Sequence, residues 1–439
     1  MMPFDIATMS LLILGAMVLL LAIGVPLAFT TGAIAVVLCL TIYGTQSLLI
    51  LASRTFSFVD SYSLVSVPFF ILMASMMERS GIARDLYNAL NVWSGRVPGG
   101  LAVVTTLVGV VLAATVGVIG GEIVLLGLVA LPQLLRLGYD RRLAIGTVCA
   151  AGSLGTMIPP SIILVFYGMT AGVSVADLFL ASFLPGLLLA ALYIAYILFR
   201  CWRDPSMGPP PPADELAMSL GQKFALLKGV AIPVLIAMSV LGSIYLGFAS
   251  VTESAAVGAV GVAIAVWLRG DFSIALLREA AIQTLSTCGV VLWLVIGTNA
   301  LIGVYTLMGG IDFAKALLTG LPFSPVVVLL LMLAIWIFLG FFIDWIGIML
   351  LTMPIFLPAI QTFGYDPIWF GILFNISMQI AYLSPPFAPA AFYLKGVAPP
   401  DMTLDEIFSA MWPFMALQTI GLALVFMFPK IALWLPSLN

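Results

Sequence analysis

Long apolar runs separated by short polar segments are the dominant pattern of the chain. In the first half, the runs 7–24, 27–43, 63–77 and 178–199 are close to the roughly 20 residues that a helix needs to cross a hydrocarbon core. In the second half, spans are predicted near 230–247, 253–268, 285–308 and 406–428, with an amphipathic piece that begins at Asp271. This pattern predicts an all-α polytopic membrane protein.

Two further apolar segments contain too many helix-disfavouring residues to cross as straight helices. The segment 101–137 is interrupted in its middle by three glycines and an acid, namely Gly117, Gly120, Gly121 and Glu122. Glycine destabilises a helix interior, and irregular backbone must be shielded from lipid. We therefore predict a re-entrant helical hairpin with its tip near 117–122, and a corresponding hairpin at 325–362.

Double prolines mark one more pair of segments. Pro159-Pro160 and Pro385-Pro386 are 226 residues apart, and a Gly-Tyr-Asp triplet precedes each of them by the same distance. Proline removes an N–H donor and disfavours helical geometry in the residue before it. The segments 143–172 and 368–394 are therefore predicted to be transmembrane helices broken at the prolines, and the chain is predicted to be a duplicated unit.

The distribution of basic residues predicts how the two halves are oriented. With the N-terminus on the periplasmic side, every Lys and Arg falls in a cytoplasmic segment except Arg54, Lys315 and Lys430. Such a bias is expected of membrane proteins, because their cytoplasmic loops carry an excess of Lys and Arg. The first half then starts outside and the second half inside, which predicts two inverted-topology repeats and an alternating-access transporter.

These elements predict a scaffold, a moving transport domain and a connecting linker. Residues 1–100 and 229–322 are predicted to supply scaffold helices, while 101–199 and 323–428 supply the hairpin, broken helix and following span of each repeat. A proline-rich cytoplasmic linker at 200–228 joins the halves. Residues 429–439 form a C-terminal tail.

Composition narrows the possible chemistry. The chain is 63% hydrophobic and 8% charged, whereas soluble domains are roughly 25% charged. It contains no His, and its four Cys are scattered without C-x-x-C spacing, so zinc, redox and serine-hydrolase chemistry are not expected. The N-terminus lacks a basic region and a cleavage site. The first helix is therefore expected to stay as a span, and the protein is not expected to be an enzyme.

Two acids inside the predicted hairpins are candidate cation-binding groups. Glu122 and Asp344 each stand ten residues before a proline, and acids within membrane segments are costly and usually functional. We interpret both as tip groups that set cation affinity or hold the tip in shape, the alternative being that each only caps a helix. Glu253 stands at a predicted helix N-terminus, where an acid is favourable for structural reasons alone.

The breaks themselves are the second kind of candidate. A broken helix frees backbone carbonyls to bind a cation and directs half-helix N-termini at an anion. The double prolines follow residues that allow close approach or offer neutral oxygens, which are Gly152, Gly155 and Thr156 in one copy and Ser377, Gln379 and Ser384 in the other. Neutral oxygens suit a hard cation, although small polar residues also serve helix packing in membranes.

Several stretches together resemble the large membrane subunit of tripartite ATP-independent periplasmic (TRAP) transporters. They are Val67-Pro68-Phe69-Phe70-Ile71-Leu72-Met73, the run 138–161, Asp177-Leu178-Phe179 with Pro185-Gly186, Thr252-Glu253-Ser254-Ala255-Ala256, Gly340 to Asp344, and Ser384-Pro385-Pro386. The resemblance implies a sodium-driven uptake system of the bacterial inner membrane that works as an elevator. In such a system a periplasmic binding protein delivers an organic acid, usually a carboxylate, to a large and a small membrane subunit. The small subunit is expected to be a separate chain, because no four-helix extension follows the last predicted span.

The resemblance and the candidates above together predict the binding residues. Sodium is expected at the two tips and the two breaks, with the set Gly117, Gly120, Gly121, Glu122, Gly152, Gly155, Thr156, Ile158, Pro159, Gly340, Asp344, Ser377, Gln379, Ser384, Pro385 and Ala388. The substrate is expected near Ser153, Ser161, Ser384 and Pro386. Sodium is the expected coupling ion, and no organic cofactor or transition metal is expected.

The chain departs from the family pattern at two places. The usual Ser-Gly-Ser of the first tip is Val116-Gly117-Val118, and the usual Thr-Pro-Pro-x-Gly of the second break is Ser384-Pro385-Pro386-Phe387-Ala388. The first tip thus lacks two hydroxyl groups. We hypothesise that Glu122 compensates for them as a sodium ligand.

Two other functions are compatible with parts of the pattern. A stand-alone sodium/carboxylate symporter of related architecture would need no binding protein. An intramembrane aspartyl protease is suggested by Tyr139-Asp140 and Tyr365-Asp366, but the chain has no Gly-x-Gly-Asp partner motif. The hypothesis of a binding-protein-dependent importer accounts for the largest number of the motif residues.

Overall fold

The computed structural model describes residues 4–93, 95, 97–117, 119–212 and 220–438. Every regular element among these residues is a helix. Six of the helices are long and apolar enough to cross a membrane, and a seventh span results if the bent pair on either side of Asp60 counts as one. The prediction of an all-α polytopic membrane protein is therefore confirmed.

The described part of the first half contains ten α-helices. They are α1 (Ile6–Ala22), α2 (Leu27–Leu38, continued by a π-helical turn Cys39–Tyr43), α3 (Leu48–Val59), α4 (Ser66–Arg79), α5 (Ile82–Asn91), α6 (Gly100–Val116), α7 (Gly121–Arg136), α8 (Arg141–Ser153), α9 (Ile162–Ala171) and α10 (Val175–Arg203). The predicted hairpin at 101–137 is the pair α6 and α7. The predicted broken helix at 143–172 is the pair α8 and α9, separated by a 3₁₀ turn Leu154–Thr156 and the double proline.

The described part of the second half repeats this order. Its helices are α11 (Leu220–Leu226), α12 (Lys228–Tyr245), α13 (Val251–Leu268), α14 (Ile274–Leu307), α15 (Gly310–Thr319), α16 (Pro325–Leu339), α17 (Trp345–Thr362), α18 (Pro367–Leu383), α19 (Pro389–Lys395), α20 (Leu404–Met427) and α21 (Lys430–Leu433). The hairpin α16–α17 and the broken helix α18–α19 stand about 226 residues after their counterparts. The opposite orientation of the two halves in a membrane stays a prediction.

The prediction for the segment after Asp271 was wrong. The amphipathic piece and the predicted span 285–308 are one continuous helix, α14. No proline or glycine stands between Ile274 and Cys288, so nothing ends the helix where its polar residues give way to apolar ones. In the first half the equivalent stretch is broken after Val59 into two helices, α3 and α4, which meet at 60°. The helix α3 was not predicted.

The Gly-Tyr-Asp triplets form the junctions between the hairpins and the broken helices. Gly138 and Gly364 have φ values of +79° and +78°, which end the preceding helices in a left-handed conformation. The Asp140 carboxylate accepts a hydrogen bond from the Leu143 amide, and the Asp366 carboxylate accepts one from the Ile368 amide. Both acids are therefore N-caps of α8 and α18, and this structural role accounts for both Tyr-Asp pairs.

The start of the predicted linker is helical and packed against the first half. α10 continues past residue 199 to Arg203. The Gly99 amide then donates to the Gly208 carbonyl (2.8 Å), and the Asp140 amide donates to the Met207 carbonyl (3.0 Å). Residues 213–219 of the linker, and Val118 of the first tip, lie outside the described residues.

The hairpins and broken helices share one apolar core. Every side chain of α18 from Trp369 to Leu383 is buried. Trp336 of α16 packs against three phenylalanine rings of α17 and α18, and its Nε1 donates to Thr352 Oγ1 (2.9 Å). Parts of α1, α2 and α14 instead pack around a separate apolar cluster that includes Met9 and Ala300. The two hairpins are thus attached to the broken helices by extensive burial.

Ion pairs join segments that were predicted to be cytoplasmic. The pairs are Arg79–Glu279 at 2.6 Å, Arg269–Asp85 at 2.7 Å, Arg141–Asp401 at 2.9 Å and Arg141–Glu406 at 2.8 Å. The hydrogen bond from Arg141 lowers the pKa of the Asp401 carboxyl below its ordinary value. Exposed pairs add little stability. Their partners lie in α4, α5, α8, α14 and α20, directly after α13 and in the turn before α20, and they agree with one shared face.

Candidate cation and substrate site

Thr156, immediately before the first double proline, connects the two halves of the chain. Its backbone carbonyl accepts hydrogen bonds from Asn375 Nδ2 (3.0 Å) and from Ser161 Oγ (2.6 Å). Its hydroxyl accepts one from Gln379 Nε2 (2.6 Å) and donates one to the Ser153 carbonyl (3.2 Å). The structure therefore brings Thr156, Ser161 and Gln379 together, as expected of residues around one site.

The first hairpin tip lies directly on the first break. The Gly117 carbonyl accepts a hydrogen bond from the Ile162 amide (3.2 Å). Gly117 has φ of +71°, and a Cβ there would be 2.5 Å from the Pro160 carbonyl oxygen. Only glycine satisfies both the backbone angle and the close approach. The glycine of the Val116-Gly117-Val118 stretch is thus needed to dock the tip.

The start of α7 covers the other side of the first break. A Cβ at Gly152 would overlap Ile123, and a Cβ at Gly155 would overlap the carboxylate of Glu122. Both glycines therefore allow α7 to approach α8 closely. Gly120 lies against the ring of Tyr393, so α19 of the second half also contacts this tip.

Glu122 is the most unusual side chain of this region. Its side chain is 1% exposed, and neither carboxylate oxygen has a hydrogen-bond partner. A buried carboxylate that accepts no hydrogen bonds is costly unless a positively charged group neutralises it. The arrangement therefore suits a bound cation or a proton.

Glu78 at the end of α4 also reaches this tip, and no pattern in the sequence predicted it there. Its Oε1 occupies the space that a side chain at Gly121 would take. The only sequence signal was an acid beside Arg79 at the end of an apolar run, which is an ordinary position for a surface residue. Its place beside the tip depends on how α4 packs against α7.

Asp344 has a different position from Glu122. It is the N-cap of α17, and its carboxylate accepts a hydrogen bond from the Ile346 amide (3.2 Å). Glu122 is instead the second residue of α7. The shared ten-residue spacing to a proline therefore does not make the two acids equivalent, because Asp344 caps a helix and Glu122 does not.

The second break is more open than the first. Ser384 is buried and donates from its hydroxyl to the Ile380 carbonyl (2.7 Å), whereas Pro385 is half-buried and Pro386 is exposed. By contrast, residues 157–161 of the first break are all buried. Ala388 closes the second break with a φ of +24°.

The remaining predicted residues fall around these two centres. The Ser377 hydroxyl donates to the Leu373 carbonyl within α18 (2.8 Å). Gly340 lies against Ala381 at the end of the same helix. Ile158 packs near Gly186 of α10, and Pro159 is buried beside it. Ser153 accepts from Gln418 of α20 at 3.4 Å, so it faces that helix. The structure brings the first tip, the first break and the middle of α18 together, with the second tip beside the end of α18.

Glu253 has the structural role that its position indicated. Its carboxylate accepts from the Ser250 amide (2.7 Å), and the Ser250 hydroxyl accepts from the Glu253 amide (3.3 Å). This reciprocal pair is a capping box at the start of α13.

The arrangement of helices occurs in a solved transporter. The structure of the YdaH transporter from Alcanivorax borkumensis matches with a TM-score of 0.64 and 16% identity, over 91% of this chain and 96% of that chain. A likeness at this identity concerns the fold alone.

Sequence comparison identifies closer relatives. The "C4-dicarboxylate TRAP transporter large permease protein DctM" of Pseudomonas aeruginosa is 30% identical over 91% of this chain and 92% of that protein. The "Sialic acid TRAP transporter permease protein SiaT" of Haemophilus influenzae is 29% identical over 87% of this chain and 61% of that protein. These relatives are transport proteins, not enzymes.

The family comparison agrees with these relatives. Residues 14–431 match the family described as "Tripartite ATP-independent periplasmic transporter, DctM component". The match includes both hairpins, both broken helices and the predicted scaffold helices α2 to α5 and α12 to α15. The chain therefore belongs to the DctM family and is a large permease subunit of a TRAP transporter.

Proposed function

We propose that this chain is the permease subunit of a sodium-coupled, binding-protein-dependent importer of a small organic acid. The carrying observation is that the buried Glu122 carboxylate lies against Gly155 at the first break, next to Thr156, which is bonded to Gln379. A carboxylate substrate fits the relatives, one of which is named for C4-dicarboxylates and another for sialic acid. The system would work in the bacterial inner membrane with the N-terminus of this chain periplasmic.

Buried oxygens without donors support sodium as the coupling ion. Besides both oxygens of Glu122, the side-chain oxygens Gln379 Oε1 and Asn375 Oδ1 are buried without a hydrogen-bond partner. The amide nitrogens of the same two residues are occupied at Thr156, so their oxygens are left to bind another group. Oxygen ligands of this kind suit a hard cation. Glu122 would bind the sodium ion with its charged carboxylate in place of the two hydroxyl groups that the tip lacks.

A second sodium site and the substrate site are proposed at the second tip and break. Gly340 and Asp344 would contribute from the tip, and Ser384, Pro385 and Ala388 from the break. The exposure of Pro386 supports placing the substrate near Ser384 and Pro386. The predicted substrate residues Ser153 and Ser161 are already engaged in buried hydrogen bonds, so their contribution would be to hold the first break in shape.

The proposed partners are a separate small membrane subunit and a periplasmic binding protein. This chain spans 61% of the Haemophilus influenzae relative and 65% of the "Isethionate TRAP transporter permease protein DctMQ" of Oleidesulfovibrio alaskensis. We propose that a separate small-subunit chain takes the role that the additional residues have in those relatives. Both chains would lie in the lipid bilayer.

An elevator movement is the proposed mechanism. The burial of the hairpins against the broken helices supports it, because elements joined in this way can move together as one body. The movement would have to separate part of the same core, which also includes side chains of α4, α5, α12 and α13. The second break with its exposed Pro386 and the buried first break would then be one state of the cycle. In another state their accessibility would be exchanged.

Uptake into proteoliposomes tests the proposed function. The chain and its small subunit are reconstituted, and uptake of a radiolabelled C4-dicarboxylate is measured with and without the binding protein. The same measurement is then made with radiolabelled sialic acid. We expect accumulation only with the binding protein and an inward sodium gradient. Uptake by the permease chain alone would contradict the proposal and support the stand-alone sodium/carboxylate symporter.

A further inference from the structure

A polar cavity of about 340 Å³ lies between α8, α10 and α20, near the ends of these helices on the predicted cytoplasmic face. Arg142 lines it from the first turn of α8, Arg200 from the last turn of α10, and Ser409 from α20. The volume would hold roughly eleven water molecules at about 30 Å³ each. None of the lining residues belongs to a hairpin tip or to a break, so the proposed transport sites do not use this cavity.

The two arginines of the cavity lack acidic partners. Within the described part of the chain, neither Arg142 nor Arg200 takes part in an ion pair, and both side chains are exposed. The Arg200 guanidinium lies 6.0 Å from the centre of the Tyr196 ring and donates to the Met207 sulfur (3.2 Å), which is a weak acceptor. Most of the N–H donors of the two guanidinium groups are therefore available to a ligand.

The acids around the cavity already have partners. Asp140, which also lines it, accepts a backbone hydrogen bond as the N-cap of α8. Glu406 of α20 pairs with Arg141 at 2.8 Å, and Asp204 accepts from the Ser206 hydroxyl at 2.6 Å. An anion that entered the cavity would thus meet two unpaired positive charges and a single carboxylate in its lining.

A second polar cavity on the same predicted face differs in this respect. Its lining includes Asp85, Lys228 and Arg269. Arg269 pairs with Asp85 at 2.7 Å and with Asp271 at 2.9 Å. Two acids already neutralise the basic groups there, so an external anion is favoured more strongly by the cavity of Arg142 and Arg200.

Exposed tryptophans indicate that this cavity lies at the depth of the lipid headgroups. Trp202 follows Arg200 by two residues and is 79% exposed, and Trp412 stands directly before Pro413 of the cavity lining and is 59% exposed. Tryptophan is enriched where a membrane meets water. Basic pockets between membrane helices on the cytoplasmic side bind anionic headgroups. The position therefore favours a lipid phosphate over a soluble one.

We propose that the cavity between α8, α10 and α20 binds the phosphodiester headgroup of an anionic phospholipid through Arg142 and Arg200. Arginine suits this ligand, because its planar guanidinium can donate two parallel hydrogen bonds to a phosphate group. The three helices all belong to the predicted transport domain, so the lipid would join parts of one domain. The proposal holds whether or not uptake is coupled to sodium.

Native mass spectrometry of the delipidated full chain in detergent tests the proposal. The probes are phosphatidylglycerol, which is anionic, phosphatidylcholine, which is zwitterionic, and inorganic phosphate. We expect the first phosphatidylglycerol molecule to bind roughly tenfold more tightly than the first phosphatidylcholine, because each arginine near the headgroup contributes about fivefold. Millimolar inorganic phosphate should not displace the lipid, since it lacks the acyl chains that add to the binding.

Substitutions of the two arginines assign the binding to this cavity. Arg142→Gln should weaken phosphatidylglycerol binding roughly fivefold, and combining it with Arg200→Gln should make the two lipids bind alike. Arg142→Lys keeps the charge and should retain most of the affinity. Arg84→Gln is the matched control, because Arg84 is an exposed arginine of α5 on the same predicted face and does not line the cavity. It should bind like the wild type.

Four results would overturn the proposal. They are equal affinity of the wild type for both lipids, an unchanged affinity in Arg142→Gln, an equal loss in Arg84→Gln, and displacement of phosphatidylglycerol by inorganic phosphate. The last result would identify a soluble phosphate compound as the ligand. Thermal unfolding in detergent verifies that each variant is folded, which is expected because both arginine side chains are exposed.

Discussion

Single residues at the breaks show where this chain departs from the family pattern. Ala388 stands where the resemblance leads one to expect glycine, and it is the only non-glycine residue with positive φ among those described. Such a conformation costs an L-residue roughly 1 to 3 kcal/mol. The alanine therefore stores strain in the second break, next to the proposed substrate site.

Replacing Ala388 by glycine is expected to stabilise the protein. The gain should be about 1 kcal/mol, because relief of strain exceeds the entropy that glycine loses on folding. The measurement is thermal unfolding of the purified chain in detergent. Ala391→Gly, the same change inside α19, should instead destabilise by about 1 kcal/mol. Destabilisation by both changes would contradict the strain at Ala388.

Asp344 offers a test of capping against charge. Asn is as good an N-cap as Asp, so Asp344→Asn should keep the stability of the wild type, whereas Asp344→Ala should lose about 1 kcal/mol. Thermal unfolding of both variants in potassium buffer distinguishes the two roles. If Asn were as destabilising as Ala, the negative charge rather than the cap would be what the second tip needs.

The helical elements were largely predictable from the sequence, because local sequence signals mark the junctions between them. Glycine tips, double prolines and Gly-Tyr-Asp triplets are local signals, so the hairpins and broken helices were predicted near their observed bounds. The polar first turns of α14 gave no such signal, and they continue into its apolar part as one helix. Glu78 could not be assigned to the site, because only the packing of α4 against α7 places it there.

The first hairpin tip packs against the first break so closely that one methyl group at Gly117 would disturb the contact. Gly117 and Gly138 have similar φ values, +71° and +79°, but a Cβ at Gly117 meets the Pro160 carbonyl while nothing lies near one at Gly138. Both substitutions by alanine share the cost of a positive φ. Gly117→Ala should therefore lower thermal stability by at least about 1 kcal/mol more than Gly138→Ala. Equal losses would mean that the tip is not docked as described.

At the scale of the whole molecule, several helix contacts join the proposed scaffold to the proposed transport domain, among them those of α14 and α15 with α17 and those of α4 and α5 with α6. One of them is made by Leu27 at the start of α2, whose side chain fills the space beside Gly347 of α17. An elevator movement would have to break this contact. Fixing it should stop transport without unfolding either part.

A cysteine pair at Leu27 and Gly347 tests the movement. In a background that lacks the native cysteines, oxidation should abolish uptake, and reduction should restore it. A pair at Met73 and Gly258, which joins α4 to α13 within the proposed scaffold, should crosslink without loss of uptake. Full uptake by the oxidised Leu27–Gly347 pair would contradict the movement.

The sodium site at the first break is the central claim, and the sodium dependence of uptake tests it most directly. Initial uptake rates are measured in proteoliposomes that hold the complete system, for the wild type, Thr156→Val and Thr147→Val. Thr147 is a buried threonine of α8 whose hydroxyl has no hydrogen-bond partner, so it is the matched control.

Loss of the Thr156 hydroxyl leaves Gln379 without its partner, at a cost of about 1 to 3 kcal/mol. We therefore expect Thr156→Val to raise the sodium concentration for half-maximal uptake roughly fivefold or more, and Thr147→Val to leave it unchanged. Uptake that proceeds equally well in potassium, or the same sodium dependence in both variants, would contradict the account.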